Sequence, residues 1–186
     1  MSKRLPIAAA ALASLIAVAG GAAPATIAPA TIAPLHGGAV AATKAHAFET
    51  LITPQGVRVF LYTDELAPAM VEKATGTAKL ALPDGRTLEV PLKAHQPAAG
   101  EPASYFCPMH AEVVRDAPGK CELCGGMVLF VQDHLFGAAD LGDVDPAKVS
   151  ALIRVSGLRG VEKEATFTPA FPTPDGKAAA VRAGEE

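Results

Sequence analysis

Tryptophan is missing from the chain and aromatic residues make up only 5% of it, so no stacking platform for bases or sugars is in view. Charge is sparse at 19%, with 16 Lys+Arg against 19 Asp+Glu, and no basic stripe of the kind that tracks nucleic acid is present. Cysteines number three, an odd count that fits poorly with a fold stapled by disulfides alone. The sequence contains no Gly-x-Ser-x-Gly elbow, no phosphate-cradling loop and no carboxylate pair with an evident role. With no nucleophile–base pair marked, the sequence reads as non-enzymatic. A length of 186 residues allows one sandwich-sized domain and a small appendage, but not two full domains.

What is present begins with an address. Lys3 and Arg4 precede the apolar run Leu5 to Ala19, and Ala23-Pro24-Ala25 has the small-x-small form of a cleavage site. Residues 1–25 therefore read as a Sec-type signal peptide, because the run is shorter than the ~20 residues a spanning helix needs. The expected location is periplasmic or secreted, with no stable membrane insertion after cleavage. Without Lys3 and Arg4 the balance is 14 − 19 = −5, mildly acidic. A five-residue unit then repeats within Pro24–Pro34, and its regular prolines disfavour helix and sheet. Residues 26–35 are accordingly expected to form a Pro/Ala linker.

The remainder reads as short strands. Ala47–Thr53 and Val57–Tyr62 alternate around Pro54-Gln55-Gly56. Thr77–Leu82 and Thr87–Leu92 flank an Asp84-Gly85 turn and predict a hairpin. His134–Leu141, Val149–Val155 and Lys163–Thr168 complete the set, with Gly157 and Gly160 in the last turn. The stretch Asp64–Lys73 predicts a single helical turn or a loop. Asp140, Asp143 and Asp145 lack the further ligands of a calcium loop and predict a turn and a cap before Pro146-Ala147-Lys148. Seven or so evenly spaced strands predict a mainly β protein, an antiparallel Ig-like β-sandwich. Its parts would be 36–102 and 132–171, with a disordered tail at 172–186 and a distinct segment at 103–131.

That segment carries all the thiols. Cys107, His110, Cys121 and Cys124 follow C-x2-H-x10-C-x2-C within 18 residues. A two-residue gap in a tight turn lets two side chains point at one centre, and two facing knuckles supply four donors in a tetrahedron. Pro118-Gly119 and Gly125-Gly126 let the backbone wrap closely around such a centre. The alternatives are a Cys121–Cys124 disulfide, which strands Cys107 and His110, and a C-x-x-C redox site, for which Gly125-Gly126 is poor helix material.

The run YFCPMHAEVVRDAPGKCELCGGMVL resembles the heavy-metal-binding domain of bacterial copper- and silver-handling proteins, which carry roughly Y-x-C-P-M-H-P and P-G-x-C-P-x-C-G-M-x-L. Similar segments occur in copper-transporting P-type ATPases and periplasmic efflux adaptors. Position by position, the resemblance implies ligation by Cys107, His110, Cys121 and Cys124, and it places Met109 and Met127 at family positions. Ala111 and Glu122 stand where the family has proline, and Gly126 is an addition before Met127. The flanking His36-Gly37-Gly38, His46-Ala47-Phe48-Glu49 and GVRVFLY stretches also resemble a small class of secreted bacterial proteins. That likeness implies that the knuckle is inserted between strands of one sandwich.

Three thiolates and an imidazole suit a closed structural Zn2+ site, whereas Cu+ would draw in Met109 and Met127 as auxiliary donors. The expectation is one metal ion per chain, Zn2+ or Cu+, in an exported protein that sequesters or delivers Cu, Ag or Zn and has an efflux or transport protein as partner. The alternative is a structural or interaction sandwich whose insert zinc merely staples. His36, His46, His95 and His134 read as solvated or packed strand residues, with a second metal site as the competing reading.

Overall fold

The computed structural model describes residues 34–64, 67–101 and 103–171. The expected signal peptide and C-terminal tail lie outside these residues, as does nearly all of the linker. The described chain is mainly antiparallel β, with no α-helix. Its strands are β1 (Ala39–Ala42), β2 (His46–Thr53), β3 (Gly56–Thr63), β4 (Pro68–Ala69), β5 (Thr75–Ala81), β6 (Thr87–His95), β7 (Tyr105–Cys107), β8 (His110–Arg115), β9 (Phe130–Val131), β10 (His134–Ala138), β11 (Ser150–Ser156) and β12 (Glu164–Phe167).

Nine strands form one sheet in the order β1-β2-β3-β10-β6-β5-β11-β12, with β4 paired to β3. The sheet folds back on itself, because Phe48 of β2 stacks on Phe167 of β12 with ring centroids 4.4 Å apart. Side chains from both halves meet there, including Val57, Leu61, Leu80, Leu92, Leu135, Ile153 and Val155. Removing each such side chain from water contributes about 1.5–3 kcal/mol. In β11 the alternation is clean: Ala151, Ile153 and Val155 are buried, while Leu152 and Arg154 are exposed.

β2 and β3 depart from that rule. Glu49 and Thr50 are both fully buried, as are neighbours on both faces of β3. The cause is the segment ahead of β1, which lies over the second face and stacks His36 on Phe60 at 3.7 Å.

Local signals act as their chemistry dictates. Gly85 takes φ +87° in the β5–β6 turn, and Asp84 accepts from the Arg86 N–H at 2.9 Å. Gly137 is needed for space, since a Cβ there would fall 2.8 Å from the Pro91 carbonyl and 2.6 Å from Val90. Asp145 caps the 3₁₀ turn Pro146–Lys148, accepting from the Ala147 N–H at 3.0 Å. The described part of 64–73 holds β4 and turns, not a helical turn. Pro68, which has no N–H to offer a helix, pairs with Tyr62 instead.

A separate three-stranded sheet, in the order β8-β7-β9, lies in the chain between β6 and β10. Those two strands are direct neighbours, with His134 opposite His95. The small sheet is thus carried on a connection between two paired strands of the large one.

Candidate metal centre

The small sheet positions the first two donors. Cys107 ends β7 and His110 begins β8, so Pro108-Met109 is the turn between them and the register sets Cys107 opposite His110. The register shifts between Phe106 and Cys107, so the regular pleat is interrupted at the first donor. The other two donors come from a second turn. The Cys121 N–H donates to the Met127 carbonyl at 2.8 Å, and the Gly126 N–H returns to the Cys121 carbonyl at 3.0 Å. Gly126 sits at φ +107°, a conformation open to glycine, so the added residue closes the knuckle. Lys120 bridges Val128, and Phe130 pairs with Phe106, which brings the second turn back beside the first.

The donor atoms of Cys107, His110, Cys121 and Cys124 all lie within 4.8 Å of one another. His110 Nδ1 is 3.7 Å from Cys107 Sγ, 3.6 Å from Cys121 Sγ and 3.0 Å from Cys124 Sγ. Cys107 and Cys124 sulfurs are 3.2 Å apart, and all three cysteines are free thiols. Ligands of a tetrahedral zinc ion stand about 3.5–3.8 Å from one another. The separations from His110 to Cys107 and Cys121 match that size, and those of Cys124 to His110 and Cys107 fall short of it by about half an ångström. Neither the Cys121–Cys124 disulfide nor a C-x-x-C helix start is formed.

Electrostatics also fit a cation. Burial disfavours a Cys107 thiolate, but N–H groups of Met109 and His110 and the neighbouring thiols outweigh it and lower the pKa. Burial pushes the Cys124 thiol up to about 12, and the other two sulfurs add to the rise. Three adjacent thiols cannot all ionise unaided, and a bound cation supplies the missing charge. The residues therefore fit a metal ion, whose chemistry here would be that of a closed centre held by three thiolates and one imidazole.

Cys107 and Cys121 are buried, while His110 and Cys124 are part-exposed. Met127 packs against the thiols, whereas the Met109 side chain is 72% exposed. The other histidines form no second group placed to hold a metal ion among the described residues. His36, His46 and His95 each face a carboxylate, of Glu49, Glu162 and Glu101 respectively. His134 is buried among rings, and its pKa falls to about 4 through burial, with the nearby charge of Arg58 adding to the fall. Among the described residues, the Cys/His cluster is the one group of three or more side chains placed to hold a metal ion.

One grouping has no counterpart in the sequence reading: His36, Glu49, Tyr62 and Ser104 meet through hydrogen bonds, His36 and Ser104 being 68 positions apart. Contacts between such distant residues leave no spacing to read.

Three thiols and an imidazole gathered in a mainly β protein define a metal-binding site. In comparison with known families, residues 104–129 match the model of the heavy metal binding domain. No curated protein and no solved structure matches the chain.

Proposed function

We propose that this is an exported heavy-metal-binding protein that sequesters or delivers a soft or borderline ion, Cu, Ag or Zn, in the cell envelope. The observation that supports this most is the four-donor cage at Cys107, His110, Cys121 and Cys124. Two buried thiols would hold the ion while His110 and Cys124, part-exposed, give an incoming ligand a side from which to reach it. Four protein ligands leave no open coordination position, so we place no catalysis at the ion. An efflux or transport protein is the proposed recipient, and the N-terminal run with its small-x-small site supports export.

Elemental analysis of protein recovered from the envelope tests the reading. About one ion per chain is expected, falling to none when Cys121 and Cys124 are both changed to Ser. Unchanged metal content in that variant would refute the site.

A second reading has its own support. The insert's buried cluster is Cys107, Val113, Cys121 and Leu129, so half of that cluster consists of ligands. A zinc ion would then serve only to staple it. Challenge with Cu(I) and a competing chelator separates the two: a carrier exchanges its metal within minutes, whereas a staple keeps zinc or unfolds when it is lost.

A further inference from the structure

Away from the metal centre, Glu49 on β2 is fully buried yet surrounded by donors. Its carboxylate accepts from the backbone N–H of Leu35 at 3.0 Å, His36 at 2.8 Å and Gly38 at 2.8 Å. The Tyr62 hydroxyl donates to it at 2.9 Å, and His36 Nδ1 lies 3.0 Å away. Burial alone would raise its pKa, but the His36 and backbone hydrogen bonds hold it at about 2. Tyr62, with its own pKa raised by burial and by that carboxylate, stays protonated as a donor.

An ionised carboxylate only accepts, so the His36 atom facing it carries a proton on Nδ1. In the neutral ring the lone pair is then on Nε2, and Ser104 Oγ sits 2.7 Å from that atom. Stacking on Phe60, with the rings 8° from parallel, fixes the orientation of the imidazole. Serine, imidazole and carboxylate thus stand in the order that activates a hydroxyl.

The serine and the imidazole line one cavity of about 400 Å3, together with Arg58, Gln132 and His134. The Gln132 amide and Arg58 Nε are buried without a hydrogen-bond partner. Unpartnered buried donors of this kind call for an explanation, and stabilising developing negative charge is one.

We propose that this cavity is an acyl-transfer site for small carboxylic esters, with Ser104 as nucleophile, His36 as general base and Glu49 as positioning residue. Ser104 Oγ bonds to the carbonyl carbon as its proton passes to His36 Nε2. The tetrahedral adduct expels the alcohol oxygen, which takes that proton from His36. A water molecule, deprotonated by the same nitrogen, then cleaves the acyl-serine, releasing the carboxylic acid and restoring the hydroxyl. The site shares no side chain with the metal cage, and its test does not depend on metal hand-over.

The test uses the full chain with p-nitrophenyl acetate and a fluorophosphonate probe, followed by peptide mapping. A burst of nitrophenolate and covalent modification of Ser104 are expected. Ser104→Ala should abolish both while leaving metal content unchanged. His36→Asn should slow labelling by ~100-fold or more, and Glu49→Gln should lower the acylation rate constant more than substrate binding. The same protein, unfolded in urea before the probe is added, should form no Ser104 adduct, a control that requires no variant to fold. An unmodified Ser104, equal labelling with and without urea, or an undiminished rate in folded His36→Asn would overturn the proposal.

Discussion

The two sheets of this protein have interiors of different size and chemistry. The large sheet closes over a continuous apolar core that runs from Phe48 to Ile153 and Phe167. The small sheet's buried cluster is just Cys107, Val113, Cys121 and Leu129, with Tyr105, Cys124 and Met127 partly covered beside them and Phe106 buried nearby. A segment of that size buries little surface to set against its chain entropy, and a metal ion in its Cys/His cage would add ligand bonds to that balance. Burial of hydrocarbon explains the first sheet; under the proposed metal site, coordination would do the same for the second.

Stripping the metal, or Cys121→Ser, should break this comparison most sharply. The insert is expected to lose on the order of 10 kcal/mol of metal-coupled folding energy, while the large sheet keeps its structure. Hydrogen exchange would show it as lost protection confined to β7, β8 and β9, and a single joint melting would disprove the division. Leu80→Ala, at a fully buried position of β5, reverses the experiment. About 2–5 kcal/mol of stability should go in denaturant unfolding, with metal stoichiometry unaltered.

Acid sharpens the contrast further. Glu49 has a pKa of about 2 in the folded chain, below its ordinary 4.5, so its stabilisation is complete above pH 4.5 and fades as pH falls toward 2. The large sheet should lose on the order of a few kcal/mol across that window, and Glu49→Gln should flatten the titration. Gly137→Ala should destabilise by roughly 1–3 kcal/mol, because the Pro91 carbonyl cannot give way cheaply. Met109→Ala should change thermal stability least, within about 0.5 kcal/mol, given its exposed side chain.

Sequence pattern made the regular parts legible. Thr77–Leu82 and Thr87–Leu92 alternate because one face meets the core and the other meets water, and the hairpin forms around Asp84-Gly85 with somewhat longer strands. The four donors were legible because short ligand spacings reflect local turn geometry. Glu49 was not, because a carboxylate in an alternating strand reads as solvent-facing until the chain ahead of β1 is laid across it. β1 itself, four small residues of Ala39–Ala42, offers no periodic contrast to read. β7 and β9 are set by pairing to each other rather than by their own few side chains.

The root of the insert carries one more consequence. The Gln132 N–H donates to the Ser104 carbonyl at 2.7 Å, just before β10 rejoins β6. Both ends of the excursion are therefore clamped at a single narrow neck. A short turn could replace everything beyond that neck with little disturbance to the strands below, and the excised piece could be planted on another hairpin. The architecture is a socket and plug, in which the host sheet sets where the plug stands and the plug's cargo need not disturb the host.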